Sequence, residues 1–293
     1  MKKIAIIGAT GMLGKPVTKA LIAAGFEVTI ITRDVEKARG VFPDCTILYG
    51  DLEDKMSLFE TLKGQDAVYL SLHISQNTKP KDFMPETDGL LHLIEAAKAN
   101  QVQRIAYLSS LVKDYQGQNC FKWWVFEVKQ KAVQILKGSG IPYTIFYPSN
   151  FMENFDKGGF KAGKKMNLAG HSSIKQYWVS GQDYGKQVAK SFEILTDENR
   201  EYTIQGPEAH RMEDAVKIFI SHYKKETLKI ARVPIGALRL AGKFSQKVNY
   251  IYHILEAINK YPEKFGAQFT WDELGKPTET IAAYTQRIQT EGN

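Results

Sequence analysis

Cysteine is nearly absent from the chain. Cys45 and Cys120 are the only two in 293 residues, and they can build no disulfide framework and match no metal-ligand spacing. Such sparse cysteine fits a reducing compartment, and no metal is expected. Long apolar runs are missing as well. Nothing approaches the roughly 20 residues of a membrane-spanning helix. The basic start, Lys2-Lys3, leads into an apolar stretch that breaks at Gly8, which is too short for a secretory signal. A cytoplasmic protein without membrane contact is therefore expected. There is no helix-turn-helix pattern, aromatic RNA-binding motif, internal repeat or low-complexity segment. The formal charge of +7 comes from scattered lysines, such as Lys79/Lys81, Lys161/Lys164/Lys165 and Lys224/Lys225. They read as a solvated basic surface, and no nucleic-acid partner is expected.

What is present begins at once. Ile4 to Ile7 is a short, mostly β-branched run that reads as a buried parallel strand. Gly8, Gly11 and Gly14 follow, then a helical pattern from Lys15 to Ala24 closing on Gly25, then a second strand, Phe26 to Thr32. A glycine-rich turn between a strand and a helix is the setting that dinucleotide binding requires. Gly8 permits a tight turn. Gly11 lets the backbone approach a pyrophosphate, and Gly14 lets the helix pack close to the strand. The amides of this turn, with Thr10, Met12 and Leu13, would face the phosphates with the positive end of the helix dipole behind them.

Thr32-Arg33-Asp34 stands just past the second strand, where an acidic residue would bind a ribose hydroxyl and an Arg would accommodate a 2′-phosphate. Arg33, with Lys37 one helical turn on, favours NADP(H) over NAD(H). Asp34 has a second reading as a helix N-cap, and Arg33 as a solvated turn residue. Thr46 to Leu52 is a third strand with its exit, and Ala67 to Leu72 a fourth. Asp51 reads equally as a cap of the helix from Lys55 to Leu62. Ser71, Leu72 and His73 end the fourth strand, where ligands sit in parallel sheets; His73 also reads as a hydrogen-bonded loop histidine. Thr87 to Ala99 reads as a helix with Leu90, Leu91, Ile94 and Ala97 on one face. Arg104 to Leu111 is a fifth strand ending in Ser109-Ser110, a pair that equally suits a plain turn. Five strands alternating with four helices imply an α/β fold with a doubly wound parallel sheet.

Trp124 to Leu136 is helical, and Gly138 to Phe151 leads into a sixth strand. The pieces Phe126-Glu-Val-Lys129, Ser139-Gly-Ile-Pro-Tyr-Thr144 and Asn150-Phe151 closely resemble the NmrA-like, isoflavone-reductase-like branch of the atypical short-chain dehydrogenases. So do Tyr184 to Ser191, Tyr202 to Glu208 and the ending around Phe269-Thr-Trp-Asp-Glu-Leu-Gly-Lys276. The spacing G-x-x-G-x-x-G agrees. The resemblance implies a Rossmann fold that binds NAD(P)H, with Asp51 and Leu52 meeting the adenine. It implies an active-site Ser at Ser109, and backbone and apolar groups of Pro148, Ser149, Asn150 and Phe151 flanking the nicotinamide. It also implies that Lys129 helps hold the nicotinamide and acts in proton transfer. A solvated surface lysine on an amphipathic helix is the plain alternative for Lys129. The superfamily's Tyr-x-x-x-Lys pair is missing: Val125 and Glu127 stand four residues before Lys129 and Lys131.

The second half is irregular. Residues 157–165 read as a loop with short elements, Ala215 to Lys224 and Ile235 to Glu256 as helical, and Trp271 to Gln289 as a final helix after a break at Tyr261 to Gly266. The expected organisation is a dinucleotide-binding domain of residues 1–151 plus 181–206. A smaller discontinuous lobe of 152–180 plus 207–293 would set the substrate. Phe151, Phe155, Phe160 and Trp178, with the C-terminal part, are candidates for an apolar or aromatic substrate cavity, although such aromatics more often form core. The expected function is an NAD(P)H-dependent reductase passing a hydride from NADPH to a small quinone, aromatic or carbonyl acceptor, as a monomer or homodimer. The alternative is a non-catalytic dinucleotide sensor that regulates a partner protein. A sugar-nucleotide epimerase is disfavoured by the missing Tyr-x-x-x-Lys pair.

Overall fold

The computed structural model describes residues 1–194 and 197–290. The first half alternates without exception. β1 (Lys3–Ile7), α1 (Gly14–Ala23), β2 (Glu27–Thr32), α2 (Val35–Val41), β3 (Thr46–Tyr49), α3 (Lys55–Thr61) and β4 (Ala67–Leu70) come first. Then α4 (Leu90–Ala99), β5 (Arg104–Leu108), α5 (Trp124–Lys137) and β6 (Tyr143–Pro148) follow. The second half holds β7 (Asn150–Phe151), β8 (Lys161–Ala162), β9 (Lys165–Ala169), β10 (Lys175–Val179), α6 (Gly181–Glu193), β11 (Arg200–Ile204) and β12 (Glu208–Arg211). It continues with α7 (Met212–His222), β13 (Lys229–Val233), α8 (Ile235–Ala241), α9 (Gln246–Lys260), α10 (Gln268–Leu274) and α11 (Ile281–Thr290).

The central sheet is parallel throughout, in the order β11-β6-β5-β4-β1-β2-β3. It is the doubly wound α/β sheet expected. Alternate residues of its apolar strands serve two cores. Ile4, Ile6, Ile30 and Tyr69 face α1 and α6, where Val17, Leu21, Val188 and Phe192 cover them. Ala5, Ile7, Val68, Leu70, Ile105 and Ile145 face α3, α4 and α5. A sheet buried on both faces needs such continuous apolar strands. Two further three-stranded sheets, β12-β10-β7 and β13-β9-β8, lie in the C-terminal half. No helix among the described residues is long and apolar enough to cross a membrane.

Several local expectations are corrected. A π-helical turn, Pro85–Gly89, runs into α4. On α4 the buried stripe is Leu90, Leu93, Ile94 and Ala97, and Leu91 is exposed. The short elements expected within residues 157–165 are present, as β8 and the start of β9 pair antiparallel there. The helical stretch 235–256 is two helices, α8 and α9, separated after Gly242. The final helix is also two, because Gly275 takes φ 91° and Pro277 follows it.

Candidate cofactor and active site

The carboxyl ends of the parallel strands share one edge, and strand order reverses between β1 and β4. Ligands of open α/β sheets bind at such a point. The glycine turn leaves β1 here. Gly8 has φ 91°, and a Cβ on it would lie 2.3 Å from the Ser71 carbonyl oxygen. A Cβ on Gly14 would lie 1.9 Å from the Gly8 carbonyl oxygen. Gly11 differs. Its nearest obstacle would be the same oxygen at 3.2 Å, and it is exposed. The turn is held by Gly11 N–H donating to Gly8 O at 3.1 Å and Lys15 N–H to Gly11 O at 3.0 Å. Leu13 precedes α1 and offers no side-chain cap. Lys15 N–H is committed and Pro16 has none, so of residues 14–16 the Gly14 amide is left open to an anion. Thr10 and Met12 border the same turn, with Met12 exposed. A turn without side chains in the way and with open amides suits a pyrophosphate.

On the adenosine side, the Asp34 carboxylate accepts the Lys37 N–H at 3.0 Å and so caps α2. Arg33 and Lys37 are both exposed, whereas Arg39 beside them is paired with Glu36 at 2.8 Å. Asp51 does not cap α3. Asp54 does, accepting from Met56 N–H and Ser57 N–H. Asp51 instead accepts the Glu53 N–H at 3.1 Å, and Leu52 is buried against Gly89.

Lys129 is not a solvated surface lysine. Its Nζ donates to both oxygens of Glu86, at 2.9 and 3.1 Å, and its side chain is only 15% exposed. Glu86 sits in the π-helical turn and is fully buried. The Tyr107 hydroxyl donates to the same carboxylate at 2.9 Å. Burial, and then the Glu86 charge, push the Tyr107 hydroxyl far above its usual range, so it stays a donor. The Ser109 hydroxyl is buried beside it and meets no hydrogen-bond partner at good geometry among the described residues. A buried ion pair with two of three ammonium protons committed, next to an unsatisfied hydroxyl, lies where β5 ends.

The C-terminal half closes over this edge. Ser149 Oγ donates to Glu263 at 2.8 Å, and Asn150 Nδ2 to Gln176 Oε1 at 2.8 Å. Gln205 Nε2 donates to the other oxygen of Glu263 at 2.7 Å. Pro148 is buried, and Phe151 is turned into the core against Tyr184, with ring centroids 5.3 Å apart. The candidate aromatic cavity is not there. Phe155, Phe160 and Trp178 stack on one another and on Phe219 as the core of the lobe. The opening lies elsewhere. A cleft of about 340 Å³ follows the end of β4, lined by His73, Ile74, Ser75, Asn77, Lys247 and Tyr250 among others. Its far wall is α9, tied down by Gln246 Nε2 donating to Thr78 O at 3.1 Å. A larger cleft lies against β2 and β3 and is lined by Lys3, Phe26, Glu27, Phe42 and Gln65, residues at the amino ends of the strands, away from the glycine turn.

The family described as NAD(P)H-binding matches residues 8–182, more than half of the chain. The chain belongs to this NAD(P)H-binding family. The resemblance to the atypical short-chain dehydrogenases holds with it. The phenylcoumaran benzylic ether reductase IRL1 of Ginkgo biloba is 28% identical over 208 residues, 64% of each chain. The photosystem II assembly factor Ycf39 of Cyanophora paradoxa is 24% identical over 254 residues, 83% of this chain and 75% of its own. Among solved structures, the NADPH-dependent quinone oxidoreductase QOR2 of Escherichia coli superposes with a TM-score of 0.75 at 21% identity. That match covers 98% of this chain and 100% of the other. In this NAD(P)H-binding chain, sequence reasoning passed over Glu86, Tyr107 and Tyr250. Glu86 reads as an ordinary first-turn acid in Pro85-Glu-Thr-Asp88, Tyr107 as a strand residue, and Tyr250 as part of an amphipathic helix. The one available signal was a carboxylate within a helical turn of Pro85, opposite a lysine of the next helix.

Proposed function

We propose that the protein is an NADPH-dependent reductase that passes a hydride to a small quinone, aromatic or carbonyl acceptor. The observation that carries this reading is the buried Lys129–Glu86 pair beside Tyr107 of β5, on the sheet edge that also holds the glycine turn and the open cleft after β4. Gly8, Thr10, Gly11, Met12, Leu13 and Gly14 would hold the pyrophosphate. Arg33 and Lys37 would take the 2′-phosphate, which favours NADPH over NADH. Asp51 and Leu52 would meet the adenine. Ser71, Leu72, Ser109, Pro148, Asn150 and Phe151 would surround the nicotinamide end, with Phe151 acting from behind. Lys129 would help hold the nicotinamide and take part in proton transfer. The bound nicotinamide supplies the hydride, and the protein's part is orientation and exclusion of water. The division into a dinucleotide domain of 1–151 plus 181–206 and a substrate lobe of 152–180 plus 207–293 belongs to this reading. It is supported by the cleft having one wall from each part. The name of the quinone oxidoreductase above supports both cofactor and acceptor class.

The test is a titration of NADPH and NADH on wild type and Arg33→Ala, followed by mixing the NADPH-loaded protein with a panel of quinones and dyes. The expected result is tighter NADPH binding that loses its advantage in the variant, and oxidation of the cofactor by a panel member. Binding without turnover on any acceptor would favour the second reading, a dinucleotide sensor acting through a partner protein. The similarity to a relative named as an assembly factor is what favours that reading.

A further inference from the structure

The superfamily's proton-donating Tyr is missing from α5, and Lys129 has two of its three N–H bonds committed to Glu86. Another element can supply the proton for a reduced acceptor. The cleft beyond β4 offers three titratable side chains, His73, Lys247 and Tyr250. Of these, Tyr250 alone is also built into the packing of the site. Its ring meets Trp123 edge-on with centroids 4.9 Å apart, and Trp123 immediately precedes α5, which carries Lys129. Trp123 is in turn stacked on His253, one helical turn along α9, at 5.5 Å. Ile74 and Met84, from the segment between β4 and the Glu86 turn, complete the cluster. Tyr250 thus joins the cleft to the residue that leads into α5 and to the segment that leads into the Glu86 turn.

We infer that Tyr250, supplied by α9 of the C-terminal lobe, is the proton donor to the acceptor bound in this cleft, with Lys129 and Glu86 as its electrostatic setting. The inference rests on the reductase reading. The acceptor gains a hydride from the reduced nicotinamide, which is oxidised. The Tyr250 O–H bond breaks, and its proton bonds to the acceptor oxygen on which negative charge develops. The resulting phenolate regains a proton from water, because the cleft is open to solvent. A phenol is the suitable group here. Burial, followed by the nearby charge of Glu86, pushes Tyr250 up to about 12, so it is protonated throughout the neutral range. It gives up its proton only when an oxyanion more basic than itself forms. An acceptor that develops no such charge at oxygen would not need it. The assignment therefore favours carbonyl acceptors, whose reduction leaves an alkoxide, over quinones, whose hydroquinone anion is an ordinary phenolate and a weaker base than the Tyr250 anion, and over dyes reduced at carbon.

Tyr250→Phe keeps the ring on Trp123 and removes only the hydroxyl. In single-turnover mixing of the NADPH-loaded protein with an aldehyde or ketone that wild type reduces, the rate should fall by about 10²–10⁴-fold, the usual contribution of a general acid. NADPH affinity by fluorescence should not change. An unchanged rate overturns the assignment while leaving the reductase reading intact. If wild type binds NADPH and reduces no acceptor, the reductase reading fails and the assignment falls with it. A second measurement needs neither cofactor nor turnover. Alkaline titration of tyrosinate absorbance, taken as wild type minus Tyr250→Phe, isolates this phenol. Repeated in the Glu86→Gln background, it should show Tyr250 titrating at lower pH. An identical titration in both backgrounds would put the hydroxyl out of reach of the ion pair and overturn the assignment.

Discussion

A methyl group on Gly14 would lie 1.9 Å from the Gly8 carbonyl oxygen, so Gly14→Ala must move backbone. We expect it to cost on the order of 1–3 kcal/mol of stability, as overpacking does, and to abolish dinucleotide binding with it. Gly11→Ala meets only one atom, at 3.2 Å, and faces outward. It should unfold almost as wild type does yet bind NADPH far more weakly. Urea unfolding and cofactor titration on the two variants separate the roles. The ion pair gives a second contrast. Glu86 is fully buried and satisfies both Lys129 and Tyr107. Glu86→Ala strands an ammonium and a phenol together, and should cost about 3–5 kcal/mol. Glu86→Leu combined with Lys129→Met should recover much of that loss, because the desolvation of both charges disappears together. Denaturant midpoints at constant pH give both values.

At the scale of elements, two helix contacts control the site. α1 carries the glycine turn and packs tightly on α6: a Cβ on Gly185 would lie 2.7 Å from the Pro16 carbonyl oxygen. Gly185→Val should push the helices apart and destabilise by roughly 1–3 kcal/mol, with a loss of NADPH affinity that accompanies the loss of stability. The other contact is α9 on α5 through Trp123, which is buried between Phe126, Tyr250 and His253. Trp123→Ala should cost about 3–5 kcal/mol. Amide hydrogen exchange should show α9 losing protection well before the central sheet does. Equal loss across the sheet would mean that α9 is not a separately held wall of the cleft.

For the whole molecule, the pH response has a local origin that can be isolated. Glu153 lies behind the site, accepting the Gly181 N–H at 2.9 Å where α6 begins. Burial is the main cause that raises it to about 7; Gly181 and Lys157 oppose the shift, and Asp156 adds to it. A raised folded-state value means that the protonated form contributes stability. That contribution is complete below about 4.5 and is lost as pH rises through about 7. The loss amounts to roughly 3 kcal/mol. Glu153→Gln should flatten this part of the stability curve, so the difference between wild type and variant in urea unfolding should grow across that window. Parallel curves would show that Glu153 ionises normally in the fold.

Local pattern carried the nucleotide half of this protein. Apolar strands of fixed period, helix spacing and three glycines at one turn are short-range properties, and β1 to β6 follow from them. The same pattern located Gly8, Gly11 and Gly14, because steric limits on a turn are written in neighbouring residues. The position of Arg33 and Lys37 just past the end of β2 was legible for that reason too. The boundaries that misled were those where a single residue interrupts a period, as at Gly242 and Gly275. Tertiary structure alone decided the chemistry. Glu86 and Lys129 are 43 positions apart, and Tyr250 follows Trp123 by more than a hundred. Phe155, Phe160 and Trp178 read in sequence as either cavity or core, and the packing of β7, β10 and α7 makes them core. Burial is what turns a common acid and a common lysine into a committed pair, and burial is a property of what the rest of the chain places around them.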